Sequence, residues 1–226
     1  MNPITYLVDV IMLPFLSFSY HNIYPNFGIG IIILTILIKL LLYPLTRQQF
    51  DSMKKMQSLM PKMKKLKEKY KNDPQGLQLE TMKIYKENKV NPLGGCLPML
   101  IQLPFLLALF YTMQGDSFAN LISQNNVFPG FTTFWLPDLS QKDNFFILPL
   151  VIGIATYLGQ KMATVDPNQQ KIMMFMPVIM VVVSFQMPAG VLLYWAVSQI
   201  ISSLQQVMIF SKSEESTTPE IEITSK

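Results

Sequence analysis

Five apolar runs, 27–46, 93–113, 145–162, 172–187 and 190–210, dominate this chain of 226 residues. Each is close to the length that crosses a bilayer, about 20 residues. Backbone N–H and C=O groups in hydrocarbon must be satisfied within the segment, so each run is expected to be a helix. Composition agrees: half of the residues are hydrophobic and 14% are charged, against about 25% charged in a soluble domain. The expected fold is therefore all-α, a polytopic membrane protein with a five-helix transmembrane core. Some runs are short. The sixteen residues of 172–187 make about 24 Å of helix, against about 30 Å of hydrocarbon. Either the bilayer thins around them or the helices extend beyond the runs. Residues 4–20 are also apolar but are interrupted by Asp9 and Pro14. They read as an N-terminal interfacial helix, with an extra span as the alternative.

Charge sets the expected orientation. Twelve of the eighteen lysines and arginines lie in 47–92, and four more lie in the 161–171 connection and the tail. The 115–144 loop holds only Lys142. Lys/Arg excess marks the cytoplasmic side, so the N-terminus is expected outside and the C-terminus inside. The domain plan is an extracytoplasmic segment 1–26, a core 27–210 that includes a basic block 47–92, and a Ser/Thr/Glu-rich tail 211–226. The tail has no apolar periodicity and is expected to be disordered.

The basic block reads as a cytoplasmic helical hairpin. Met53, Met56, Met60 and Met63 fall on one helical stripe that continues to Leu66 and Tyr70. "NDPQG" at 72–76 is a turn signal. A second helix follows, with Leu77, Thr81 and Ile84 on one face. The methionines either pack against the partner arm or present a flexible apolar surface to clients. Lys54, Lys55, Lys62, Lys64, Lys65 and Lys67 are candidates for contact with anionic lipid headgroups or with ribosomal RNA phosphates.

Inside the spans there is no Asp or Glu, which argues against proton- or sodium-coupled transport. Lys39 is the one charge in the interior of an apolar run (Lys161 stands at the very end of 145–162), in "IIILTILIKLLLYPLTR" at 31–47, with Thr35 one turn before it. The second span offers Gln102 and Thr112; the last offers Tyr194, Trp195, Ser198, Gln199, Ser202 and Ser203. Ser198 and Ser202, four apart, give a polar stripe. Snorkelling could satisfy Lys39, and interhelical hydrogen bonds could satisfy the rest. Taken together, they read as a wet cavity for an anionic guest.

Four stretches carry a family resemblance: "YPLTRQQFDSMKKMQ", "YKENKVNPLGGCLPMLIQLPFLLALFY", "DPNQQKIMMFMPVIM" and "PAGVLLYWAVSQIISSLQQ". In this order the chain resembles the YidC/Oxa1/Alb3 membrane protein insertases, from about residue 27 to residue 210. It is similar to the short bacterial form, which lacks the large periplasmic domain; many members of that form are lipoproteins, and the lack of a lipobox cysteine here departs from that pattern. The resemblance implies a hydrophilic groove open to the cytoplasm and to lipid, in the bacterial plasma membrane. It implies nascent membrane proteins as clients, with the ribosome, the Sec translocon and anionic lipids as partners. The family's groove arginine falls at Lys39, which keeps the charge and loses the bidentate fork. Its substrate-contact positions fall at Thr35, Gln102, Tyr194 and Trp195; Ser198 and Gln199 join them on the last span.

No catalytic residue, metal ligand set or cofactor is expected. The chain has no GxxxxGK[ST], HExxH or GxSxG pattern, one histidine (His21) and one cysteine (Cys96). A secondary transporter is the rival reading, and five spans without internal duplication disfavour it.

Overall fold

The computed structural model of the chain describes residues 3–88, 90, 97–116, 118, 120, 131–132, 134–162 and 167–215. The NPLGGC stretch at 91–96 and the tail beyond 215 lie outside them. Among the described residues every regular element is a helix. Helix α1 comprises Pro3–Tyr6, a π-helical stretch Leu7–Met12, and Leu13–Asn22. Then come α2 (Phe27–Leu41), α3 (Tyr43–Ser58), α4 (Met60–Lys69) and α5 (Pro74–Glu87). The remaining helices are α6 (Leu97–Gln114), α7 (Ile147–Met162), α8 (Pro167–Ser184) and α9 (Ala189–Glu215).

Helix α9 is the hub, packed on α2, α6 and α7, while α8 packs on the far side of α7. The core joins Phe27, Ile31 and Leu34 of α2 with Ala108 and Leu109 of α6 and Val191 to Tyr194 of α9. The opposite face of α2 leaves Ile36, Leu37, Leu40 and Leu41 exposed. This inside-out display of large apolar side chains is what hydrocarbon solvent tolerates and water does not.

Three boundaries differ from the sequence expectation. The first span ends at Leu41 rather than 46, and α3 leaves it at 63°. Pro44 explains the break: it has no N–H for the Leu40 carbonyl, and its ring crowds that carbonyl. Helix α8 starts at Pro167, five residues before the predicted 172, because proline suits a first helical turn. Its eighteen residues make about 27 Å of helix, but the added first turn, PNQQK, is polar and the helix stops at Ser184, so its apolar stretch stays short. Helix α9 continues to Glu215, past the expected start of the disordered tail.

The N-terminal segment is also more embedded than a surface helix needs to be. Val8, Met12 and Leu16 are buried in the core against α2 and α6. Ile4–Asn22 and Ala189–Phe210 are the two helices among the described residues that are long and apolar enough by themselves to cross a membrane. The first is the property that the extra-span alternative requires.

Beyond α3, the hairpin forms as its turn signal predicts. Asp73 accepts a hydrogen bond from Gly76 N at 2.9 Å and Pro74 opens α5, a capped, pre-set helix start. Met56 and Leu59 pack with Val90, Ile84 and Tyr85 of the return arm. Phe50 and Met53 instead meet Ile209 and Phe210 of α9.

The end of the bundle away from the hairpin is closed by the 131–146 loop. Leu136 and Leu139 are buried in the core. Gly190 N donates to Leu139 O at 2.8 Å, and Asn26 Nδ2 donates to Phe131 O at 2.8 Å. A Cβ on Gly28 would lie 2.5 Å from Phe131, so the close approach of loop and helix requires glycine there.

Candidate functional site: a buried polar network around Lys39

Lys39 lies in the last turn of α2, just before the Leu42 break. Its ammonium donates to Ser202 Oγ of α9 at 2.8 Å and to Gln102 Oε1 of α6 at 3.4 Å. Gln102 is the junction. Its Oε1 also accepts from Ser198 Oγ at 3.2 Å, and its Nε2 donates to Tyr194 Oη at 2.5 Å. Tyr194, Ser198 and Ser202 are spaced four apart, so α9 presents them as one stripe about 12 Å long. The stripe runs from a buried phenol to a half-buried hydroxyl, and the amide and the ammonium bridge it to the neighbouring helices. Both acceptors of the Lys39 ammonium are neutral, and an ammonium has three donors.

The site thus unites Lys39, Gln102, Tyr194 and Ser198 of the expected set. It adds Ser202, which the sequence placed on the polar stripe but not among the candidate contacts. It does not bring in the others. Thr35 is fully buried, and its hydroxyl donates to Ile31 O at 2.6 Å. This is the back-bond to the preceding turn that helical threonines commonly make. Trp195 is half-buried and packs against the apolar core. Gln199 turns to the other side of α9, where its Nε2 donates to Thr156 Oγ1 of α7 at 2.9 Å.

Gln199 belongs to a second polar seam. Ser203 Oγ donates to Ala155 O at 3.3 Å, and Gln206 Nε2 donates to Gly159 O at 3.2 Å. These bonds knit α9 to α7, as interhelical polar groups do in membranes. The polar residues of the last helix therefore divide by face, one set around Lys39 and one structural.

The hairpin lysines divide as well. Lys54 donates to Ile209 O of α9 and lies over the Phe210 ring, 5.3 Å from its centroid. Lys55, Lys62, Lys64 and Lys65 are exposed, and Lys67 is partly so. Met53, Met56 and Met63 are buried, so most of the methionine stripe packs within the protein. Among the described residues no three His, Cys, Asp or Glu side chains gather into a metal site.

The sequence model of the 60Kd inner membrane protein family matches residues 18–216. The chain belongs to this family. Among its relatives, the membrane protein insertase YidC of Fusobacterium nucleatum subsp. nucleatum is 46% identical over 189 residues. That match covers 83% of this chain and 87% of the relative. The membrane protein insertase YidC of Pseudoalteromonas atlantica is 45% identical over 204 residues, 89% of this chain. The chain spans only 36% of that longer protein, and 35% of its counterpart from Haemophilus influenzae. A crystal structure of an active YidC insertase with its first transmembrane domain resolved superposes with a TM-score of 0.70 at 27% identity. It covers 87% of this chain and 45% of that one. As a family member with several apolar helices, the chain is a multi-pass inner-membrane protein.

Proposed function

We propose that this chain is a membrane protein insertase, working without nucleotide hydrolysis and with no catalytic chemistry of its own. The observation that carries the reading is Lys39, a lysine of a spanning helix whose two acceptors are the neutral Gln102 and Ser202. A charge at the bilayer centre costs about 2.5–3.5 kcal/mol on insertion scales; Lys39, half-buried in the last turn of α2, bears a smaller part of that cost. Its retention calls for a function or an escape to water. Gln102, Tyr194, Ser198 and Ser202 extend the polar surface beyond what one ammonium needs. The names of the relatives support the same reading.

In the proposed cycle the hairpin side faces the cytoplasm. A nascent segment enters between α2 and α9, and its acidic or polar flank exchanges for Gln102 or Ser202 on the Lys39 ammonium. The apolar part of the client moves into lipid and gains about 25 cal/mol per Å² of apolar surface withdrawn from water. The flank is then released on the far side. The exposed hairpin lysines recruit ribosomes or anionic headgroups at the entry side, and the Sec translocon is a further partner for larger clients. Reconstitution in liposomes tests the reading: an insertase gives protease-protected, membrane-integrated single-span substrate. Transport of a small solute without substrate integration would instead support the rival transporter.

A further inference from the structure

Four phenylalanines gather at the end of the bundle away from the hairpin. Phe134 is 82% exposed and Phe145 and Phe146 are each 51% exposed. Phe134 stacks on Phe145, centroids 5.5 Å apart, and Phe146 meets Phe185 of the α8–α9 turn edge to face at 5.1 Å. A loop in water would turn such rings inward.

Here the backbone is held so that they face out. Phe146 has φ 56, a left-handed conformation that bulky residues rarely adopt. The buried carboxylate of Asp143 fixes it. Oδ1 accepts from Phe145 N at 3.1 Å and from Trp135 Nε1 at 2.9 Å, and Oδ2 accepts from Leu148 N at 2.8 Å. One acid thus ties both arms of the loop to the start of α7 while the rings project. Strain held by a surrounding network marks a conformation that is used.

We infer that Phe134, Phe145 and Phe146 insert into the headgroup–acyl boundary of the leaflet opposite the hairpin, making the 131–146 loop a membrane anchor. The occupant follows from continuity. Directly after Phe146, Ile147, Leu150, Ile154 and Tyr157 form an exposed apolar face on α7, and Phe185 continues Val178 and Val182 of α8. Those faces are the bundle's lipid contact, and the aromatic patch prolongs them to the membrane surface. Aromatic side chains concentrate at that level. Gln141 and Lys142, both exposed, then sit where headgroups and water begin. Asn26 and Gly190 tie the same loop to the ends of α2 and α9, so the anchor fixes the depth of two of the three helices that carry the Lys39 network. The inference does not depend on the insertase reading.

The test uses the full chain with Cys96→Ser in liposomes and single nitroxide labels at 134, 145 or 142. Collision with oxygen, which partitions into lipid, is compared with collision with a water-soluble nickel chelate. The expected result is oxygen above nickel at 134 and 145, and nickel above oxygen at 142. Nickel access at 134 and 145 equal to that at 142 would overturn the anchor. Protection from both reagents would also overturn it, because it means protein rather than lipid covers the patch. As a label at either 134 or 145 breaks the ring stack, a second measurement keeps an aromatic group in place. Benzoylphenylalanine at 134, photoactivated in liposomes, should give a lipid adduct by mass. A dimer-mass product, or no lipid adduct, would count against the proposal.

Discussion

At the scale of the residue, Lys39 and Gln102 make opposite predictions about charge and shape. Lys39→Arg keeps the cation and its reach, so insertion should remain near wild type. Lys39→Gln keeps a donor but loses the charge. A hydrogen bond to a charged group contributes about 1.5–3 kcal/mol, so insertion of clients with acidic flanks should fall about tenfold or more, and neutral clients should suffer less. Lys39→Glu should be worst for the acidic clients, because it repels them. Protease protection in reconstituted vesicles at matched protein levels reads all three. Equal insertion of acidic-flanked clients by Lys39→Glu and wild type would leave snorkelling as the better account of the lysine. Gln102→Leu tests the junction. It removes an acceptor shared by Lys39 and Ser198 and the donor to Tyr194. Leaving buried polar partners unmet costs about 1–3 kcal/mol, so the variant should lose thermal stability in detergent as well as activity. Gln199→Leu should loosen the α7–α9 seam while sparing the client-charge dependence seen for Lys39. A loss of that dependence in Gln199→Leu would merge the two polar sets again.

At the scale of the element, the hairpin separates lysines that bind outward from one that binds inward. Replacing Lys62, Lys64, Lys65 and Lys67 with Gln should weaken ribosome binding by nanodisc-embedded protein and flatten its salt dependence, since each phosphate contact releases counterions. Lys54→Gln should leave that binding largely intact. Its effect belongs to the contact with Ile209 and Phe210, so amide exchange over Tyr43–Ser58 should speed up. Unchanged exchange there would remove Lys54 as a tie between α3 and α9. The helices themselves were legible in the sequence because apolar runs and proline starts are local signals. The Leu42 break was legible too, in the Tyr43-Pro44 pair, but the apolar run masked it. Thr35 could have been read as back-bonded, since threonine in a helix often is. What the sequence did not carry was the choice of neighbours. Ser198 and Gln199 are adjacent in the chain, yet one residue turns the helix by about 100°, so only the packing of α6 and α7 around α9 sends them to different partners. The 131–146 loop has no periodicity to read, and nothing in the sequence sets Asp143 apart from any other loop acid; its three donors meet it only in the fold.

At the scale of the whole molecule, the bundle has two unlike ends, and their assignment to the two sides of the membrane is the remaining prediction. One end carries the hairpin with twelve of the eighteen basic residues. The other carries the loop that holds Lys142, closed over the ends of α2 and α9 by Leu136 and Leu139. Translocating a lysine-rich segment opposes the bias that sets membrane topology, whereas the loop carries little basic charge to hold back. Whether α1 lies on the membrane or crosses it changes only the side of the N-terminus; it leaves the order of α2 and everything after it intact. In the Cys96→Ser background, Ser58→Cys should therefore resist an impermeant thiol reagent added outside intact cells and react once the cells are opened. Lys142→Cys should react in intact cells. Reaction of Ser58→Cys from outside would invert the molecule, place the entry to the Lys39 network on the wrong side for a nascent chain, and overturn the insertase cycle proposed for it.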